Sequence, residues 1–494
     1  MATDVPTTTH FTALDNLSLL PVEEQLNRLC DGLTTGGPDP AKSVFAEFRY
    51  HRRHSRSIGI RKGEVSDMSS RSFEGVGIRV LARGSWGFAA TSDLSPDGLE
   101  RALRQAREMA LLFADRKSEQ SFLESYPERM ARGGYSVAGF AELGSMPIEA
   151  KFDLVQQSEE QLRQSSQWIE AAMCGYTEVF EEKYITTTDG ARCRLNLVRP
   201  ELRFAAFASK DGQTSRGSDS VGVTGGWECL FQNRPAEAFI DTAAKNAVEL
   251  LSAPPAEGGK QRVILAPAMV GLLSHEAIGH TVEADFVDSG SVAAGKLGQM
   301  IASPLVTLCD SGRSEYAEGA GGILPVDDEG VLAGRTPIIE AGKLVSYLHN
   351  RESAAKHGVA PTGNARAWEF NDEPLIRMRN TYVEPGESEL DEMIGGIDDG
   401  YFIDGPEGGQ ADATGEFMFG ASRVRKIRGG KLAESVQKLS VSGNAFEVLQ
   451  SVDAVSRDFR WDLGSGHCGK GQPAKVDAGG PYLRCSVLAG GAQA

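Results

Sequence analysis

The sequence has no CxxC pair, and its seven cysteines are scattered along 494 residues. An odd, dispersed set in so long a chain excludes a secreted disulfide framework and points to reduced thiols. Long apolar runs are also missing, so no segment reads as a membrane span. Met1 to His10 is Thr-rich and lacks the apolar core of a signal peptide. The expected location is therefore the cytoplasm, away from any membrane. Positive charge is scarce as well. Lys and Arg number 51 against 68 Asp and Glu, a formal net charge of −17, which excludes a nucleic-acid partner needing a basic face. No short-period repeat is present.

What is there suits a soluble globular protein, 40% hydrophobic and 24% charged. A single core rarely grows past about 250–300 residues, so two or more domains are expected. A helix over Val22–Leu33 is broken by the turn formers of Thr34 to Pro40. Short strands are expected over Ser57–Ile60, Gly77–Leu81 and Trp86–Ala90. Ser95-Pro96 then opens a helix, with Ser as N-cap and Pro in the first turn. A second helix begins near Ser145, with Pro147 just inside it. Strand-like text from Glu170 to Phe207 turns at Asp189-Gly190. A helix from Pro235 to Leu251 ends at Ala253-Pro254-Pro255-Ala256-Glu257-Gly258-Gly259, the best domain boundary in the chain. The expected division is an extension over 1–40, an N-terminal domain over 41–252 and a C-terminal domain over 260–494.

After that boundary comes a strand at Arg262–Leu265 and a helix from Ala268 to about His280. The helix ends in His275-Glu276-Ala277-Ile278-Gly279-His280. Two imidazoles can ligate a transition metal, and an adjacent carboxylate can act as a general base. The histidines lie five apart, however, and in a regular helix this sets the rings about 140° apart. An i→i+5 bulge would return them to one face, and Gly279 would permit the backbone angles this needs. Glu283 and Asp285 are candidates for orienting a ring nitrogen, or plain surface charges.

A tetrahedral metal needs a third protein ligand and an open position. The Gly-rich stretch Gly464 to Gly471 supplies Cys468, with Lys470 placed to favour its thiolate and His467 as a competing ligand.

At these residues the chain resembles the TldD/PmbA family of metallopeptidases. The HExxxH signature is followed by Thr281-Val282-Glu283-Ala284-Asp285, and Cys468-Gly469-Lys470 matches the family's late segment. Phe73 to Arg79, Val326 to Gly330, Arg377 to Tyr382 and Gly408 to Asp412 resemble further family segments. The resemblance implies an α+β fold in two domains: an N-terminal sheet with helices, and a β-rich C-terminal domain holding the metal. It implies Zn²⁺ on His275, His280 and Cys468, with Glu276 as the catalytic general base. It also implies a heterodimer with a metal-less relative, a homodimer being the alternative, and hydrolysis of unfolded or modified peptides. His467 stands where the family commonly has another residue. The loop after Cys468 is short, and both features leave open a pathway-specific hydrolase or tailoring enzyme acting on a small peptide-like intermediate. Arg366, Arg377 and Arg379 are candidates for holding substrate carboxylate or carbonyl groups, because arginine suits bidentate pairing; surface charge or structural pairing is the alternative for each.

Overall fold

The computed structural model describes residues 11–13, 19–33, 44–114, 116, 120–462 and 464–491. The readings of Met1 to His10 and of the Thr34–Pro40 turn lie outside the described residues. The N-terminal half is built on one eight-stranded sheet. Its strands are β1 (Phe11–Ala13), β2 (Phe45–Arg61), β3 (Glu64–Ala82), β4 (Ser85–Thr91), β5 (Arg132–Val137), β6 (Ile169–Thr187), β7 (Arg192–Lys210) and β8 (Gln213–Gly222), in the order β1-β5-β7-β6-β2-β3-β4 with β8 on β7. The β5–β7 pairing is parallel and the rest are antiparallel. The sheet is thus mostly hairpins, and β6 and β7 do turn at Asp189-Gly190, with Gly190 at φ 113°.

Helices cover this sheet where its residues are apolar: α1 (Pro21–Asp31), α2 (Pro96–Ala114), α3 (Phe140–Ser145), α4 (Ile148–Gln164) and α5 (Ala236–Leu250). In α2, Leu99, Ala102, Ala106 and Ala110 are buried at helical spacing against Phe48, Val76, Ile78 and Val80. Ser95 caps that helix by accepting from the Gly98 amide at 3.1 Å. Pro147 is the cap of α4 and not its first turn. The described part of the N-terminal extension is integrated into this half: β1 pairs with β5, Leu26 and Cys30 of α1 are buried, and Asn27 bonds Tyr184 at 2.8 Å.

The C-terminal half holds two main sheets. One begins with β9 (Gly259–Leu265). Its pairings run through strands Leu483–Gly490, Leu439–Asn444, Glu416–Arg428 and Asp399–Ala411, and back to β9, so they close into a ring. The other has six short strands, among them Leu308–Ser311, Asn380–Val383 and Asp477–Gly480. Helix α6 (Pro267–Leu272) leaves β9, and its Met269 and Val270, with Leu273 just beyond it, are buried in the core that includes the ring. Each such side chain contributes roughly 1.5–3 kcal/mol when fully buried.

The two halves meet through charge. Lys183 Nζ reaches Asp328 Oδ1 at 2.8 Å, and Arg49 Nε stands 3.7 Å from the same oxygen. Arg79 pairs with Glu329 at 3.0 Å, and Lys475 with Glu201 at 2.5 Å. All these groups are buried. Such pairs give little net stability over apolar packing, but each strongly specifies its partner, because a lone buried charge is costly.

Candidate metal centre

The metal motif lies on a distorted helix. Beyond α6 the chain winds as a π-helix over Leu273–Gly279 and then as a 3₁₀ turn over His280–Val282. The five-residue spacing suits one metal only if the helix is distorted or ends there; this i→i+5 winding is such a distortion, and it returns both rings to one face. Their centroids are 5.3 Å apart. Gly279 plays a different part from the one its flexibility suggested. Its φ of −54° is ordinary helical backbone. What requires glycine is a close approach: a Cβ there would stand 1.8 Å from Met378 Sδ.

Cys468 arrives from the far end of the chain, on a hairpin of strands His467–Lys470 and Gln472–Lys475. Its Sγ lies 3.1 Å from His280 Nε2. Ligand atoms of His275, His280 and Cys468 all fall within 4.8 Å of one another. No other such group of three His, Cys, Asp or Glu side chains occurs among the described residues.

The chemistry of this set fits a metal ion. Both ring nitrogens of His275 are buried and have no hydrogen-bond partner among the described residues, a condition that normally has a reason. His280 Nδ1 meets Glu283 Oε2 at 2.9 Å, which leaves Nε2 facing the cluster. Burial pushes the Cys468 thiol up, but the imidazoles of His275 and His280 outweigh it and bring the thiol down to about 4, so it is a thiolate at neutral pH. Burial pulls His280 down, yet Cys468 and Glu283 raise it to about 10.

A cavity of about 1040 Å³ opens beside the cluster and is lined by both halves of the chain. His275, Glu276 and Cys468 line it from the C-terminal half, and Tyr176, Arg203 and Ser220 from the N-terminal half. Glu276 is 27% exposed, with Oε2 3.8 Å from His280 Nε2. It is thus beside the ligands yet reachable from the cavity. His467 also lines the cavity, but on the face of its strand opposite Cys468. It packs edge-on to Trp368 and lies 3.8 Å from Glu201. His467 is not in the ligand cluster.

The three arginines read as substrate groups are buried and engaged internally. Arg377 donates to the backbone carbonyls of Gln472 at 2.7 Å and Cys468 at 2.6 Å. Arg379 binds Asp310 at 2.8 Å through its Nε. Arg366 donates to the Met378 carbonyl at 2.7 Å. None of them lines the cavity. The expectation is corrected accordingly: Arg377 holds the hairpin that carries Cys468, and the other two brace the strands around it. Sequence reasoning missed Glu201 and Lys475, which tie the same hairpin to β7. No local signal marks them, since they lie 274 residues apart.

Two imidazoles, a thiol and a nearby carboxylate on an open cavity are a set of side chains that could hold a metal ion. Models of three PmbA/TldA metallopeptidase domains match in chain order: domain 1 over 46–110, the central domain over 141–251 and the C-terminal domain over 258–490. The chain belongs to the TldD/PmbA metallopeptidase family. It is 36% identical to a metalloprotease of Methanothermobacter thermautotrophicus, over 90% of this chain and 95% of that protein. It is 27% identical to the zinc metalloprotease TldD homolog of Saccharolobus solfataricus, over 90% and 96%. The fold is similar to that of TldE from Thermococcus kodakarensis, with a TM-score of 0.75 at 19% identity, covering 95% of this chain and 99% of that one. No described helix is long and apolar enough to cross a membrane.

Proposed function

We propose that this chain is a zinc-dependent peptidase that hydrolyses amide bonds of unfolded or modified peptides. The convergence of His275, His280 and Cys468 beside Glu276 carries the reading. Zinc held by His275, His280 and Cys468 would supply Lewis acidity. Glu276, exposed to the cavity, is placed to take a proton from an attacking water and pass it to the leaving amine. The cavity walls come from both halves of one chain, and the cavity is open to solvent beside the three ligands, where a peptide could reach them. The purified protein should bind about one zinc per chain and cleave denatured casein or short peptides, with loss of activity on chelation. A metal-free protein that cleaves at full rate would sink the reading.

The proposed setting is the cytoplasm, and the proposed partner is a metal-less relative of the same family, a second copy being the alternative. The support is family membership and the need to shield a peptidase site from folded proteins. Light scattering of the chain alone, and then mixed with such a relative, tests this. A monomer that is fully active and indifferent to the relative excludes both forms.

A further inference from the structure

Cys468 and Lys470 are two residues apart on one short strand and therefore project from the same face. Cys468 brings its sulfur to Nε2 of His280 at 3.1 Å. Lys470 brings its ammonium to Glu283, with Nζ 3.1 Å from Oε2. The same Oε2 takes the other nitrogen of His280, Nδ1, at 2.9 Å. One strand face thus reaches both ends of a single imidazole, directly at one end and through a carboxylate at the other.

We propose that Lys470 is a positioning residue for the metal ligand His280, acting through Glu283. Docking of the hairpin then does two things at once: it adds the third ligand and it fixes the orientation of the second. The sequence suggested instead that Lys470 favours the Cys468 thiolate. Its hydrogen bonds go elsewhere, to Glu283, to Asp285 at 2.8 Å and to the Ile376 carbonyl at 3.1 Å. Its Nζ also sits 4.3 Å from the Phe286 ring. Three acceptors match the three donors of an ammonium, so Lys470 is itself held in place. Glu283 is fully buried, and its Oε1 has no hydrogen-bond partner among the described residues. Its orientation therefore depends on what Oε2 touches. Without Lys470 that leaves only the ring Glu283 is meant to hold, and the pair is free to pivot.

The inference rests on the zinc reading and is tested by metal binding, independently of turnover. Groups that orient a ligating histidine typically cost about 10–100-fold in metal affinity when removed. Lys470→Met should keep its fold by circular dichroism and bind one zinc at saturation, with its Kd weakened by that factor. The cobalt-substituted variant should show a changed visible spectrum, which reports ligand geometry. Glu283→Gln should do the same, and the double variant should be no worse than the worse single, because both act along one path. Parent affinity with the parent cobalt spectrum in Lys470→Met, or losses that multiply in the double variant, would overturn the inference. If Lys470→Met does not fold, Glu283→Gln alone decides on the same criteria. A parent protein that takes up neither zinc nor cobalt overturns the proposed function instead, and this inference with it.

Discussion

The backbone amide of His280 donates to the carbonyl of His275, five residues back. This bond sets the ring spacing, and Met378 presses on the turn at Gly279. Gly279→Ala should therefore destabilise the protein by about 1–3 kcal/mol or more through overpacking, and should weaken zinc binding. Met378→Ala in the same chain should restore much of both. Thermal melts and zinc titrations of the two singles and the double check this. A harmless Gly279→Ala would show that the contact is not tight.

Glu276 stands beside a ligand without belonging to the cluster. Glu276→Gln should keep zinc and the parent melting temperature while turnover falls at least about 10²–10⁴-fold. Peptide hydrolysis at the parent rate would remove it from proton transfer.

Cys468 and His467 are neighbours that face opposite ways. Cys468→Ala should abolish tight zinc binding. His467→Ala should leave zinc in place and change peptide affinity, because His467 lines the cavity. Elemental analysis with the ranking reversed would transfer the third ligand to His467.

Acid sensitivity should come in part from Asp328. Burial raises its carboxyl, but Lys183 and Arg49 outweigh burial and hold it well below the usual carboxylate range. A carboxyl depressed in the folded state contributes stability that is present above its unfolded value of about 3.9 and is lost as pH falls below it. Asp328→Asn should cost about 3–5 kcal/mol at neutral pH by stranding buried cations. It should also flatten the loss of stability below about pH 4. Urea unfolding across pH measures both, and an unchanged acid limb would contradict the assignment.

The histidine pair of the candidate centre was legible because its evidence is local: the spacing of His275 and His280 suited one metal only if the helix was distorted or ended there. Cys468 was not, since it comes from 188 residues away and only the family resemblance tied it to the pair. For the three arginines the choice between substrate binding and structural pairing could not be made from the sequence, again for want of local evidence. Arg377 meets the carbonyls of Cys468 and Gln472, 91 and 95 residues away, and Arg379 meets Asp310, 69 residues away. Nothing in a local pattern separates such a buried cation from one waiting for substrate. Strand lengths were underestimated likewise. β2 and β3 run for 17 and 19 residues. Their middle parts, around Arg52-Arg53-His54 and Ser69-Ser70-Arg71, are too polar to show an apolar alternation. Pairing with neighbouring strands carries those stretches.

The hairpin His467–Lys475 brings Cys468 to His280 from 188 residues along the chain and is moored to the N-terminal half at Glu201. Synthesis runs from the N-terminus, so both histidines and their docking surface on β7 exist long before the thiolate does. A chain still on the ribosome therefore carries two-thirds of a ligand set and no working centre. A truncation that ends before residue 468 should be folded in its first half and catalytically silent.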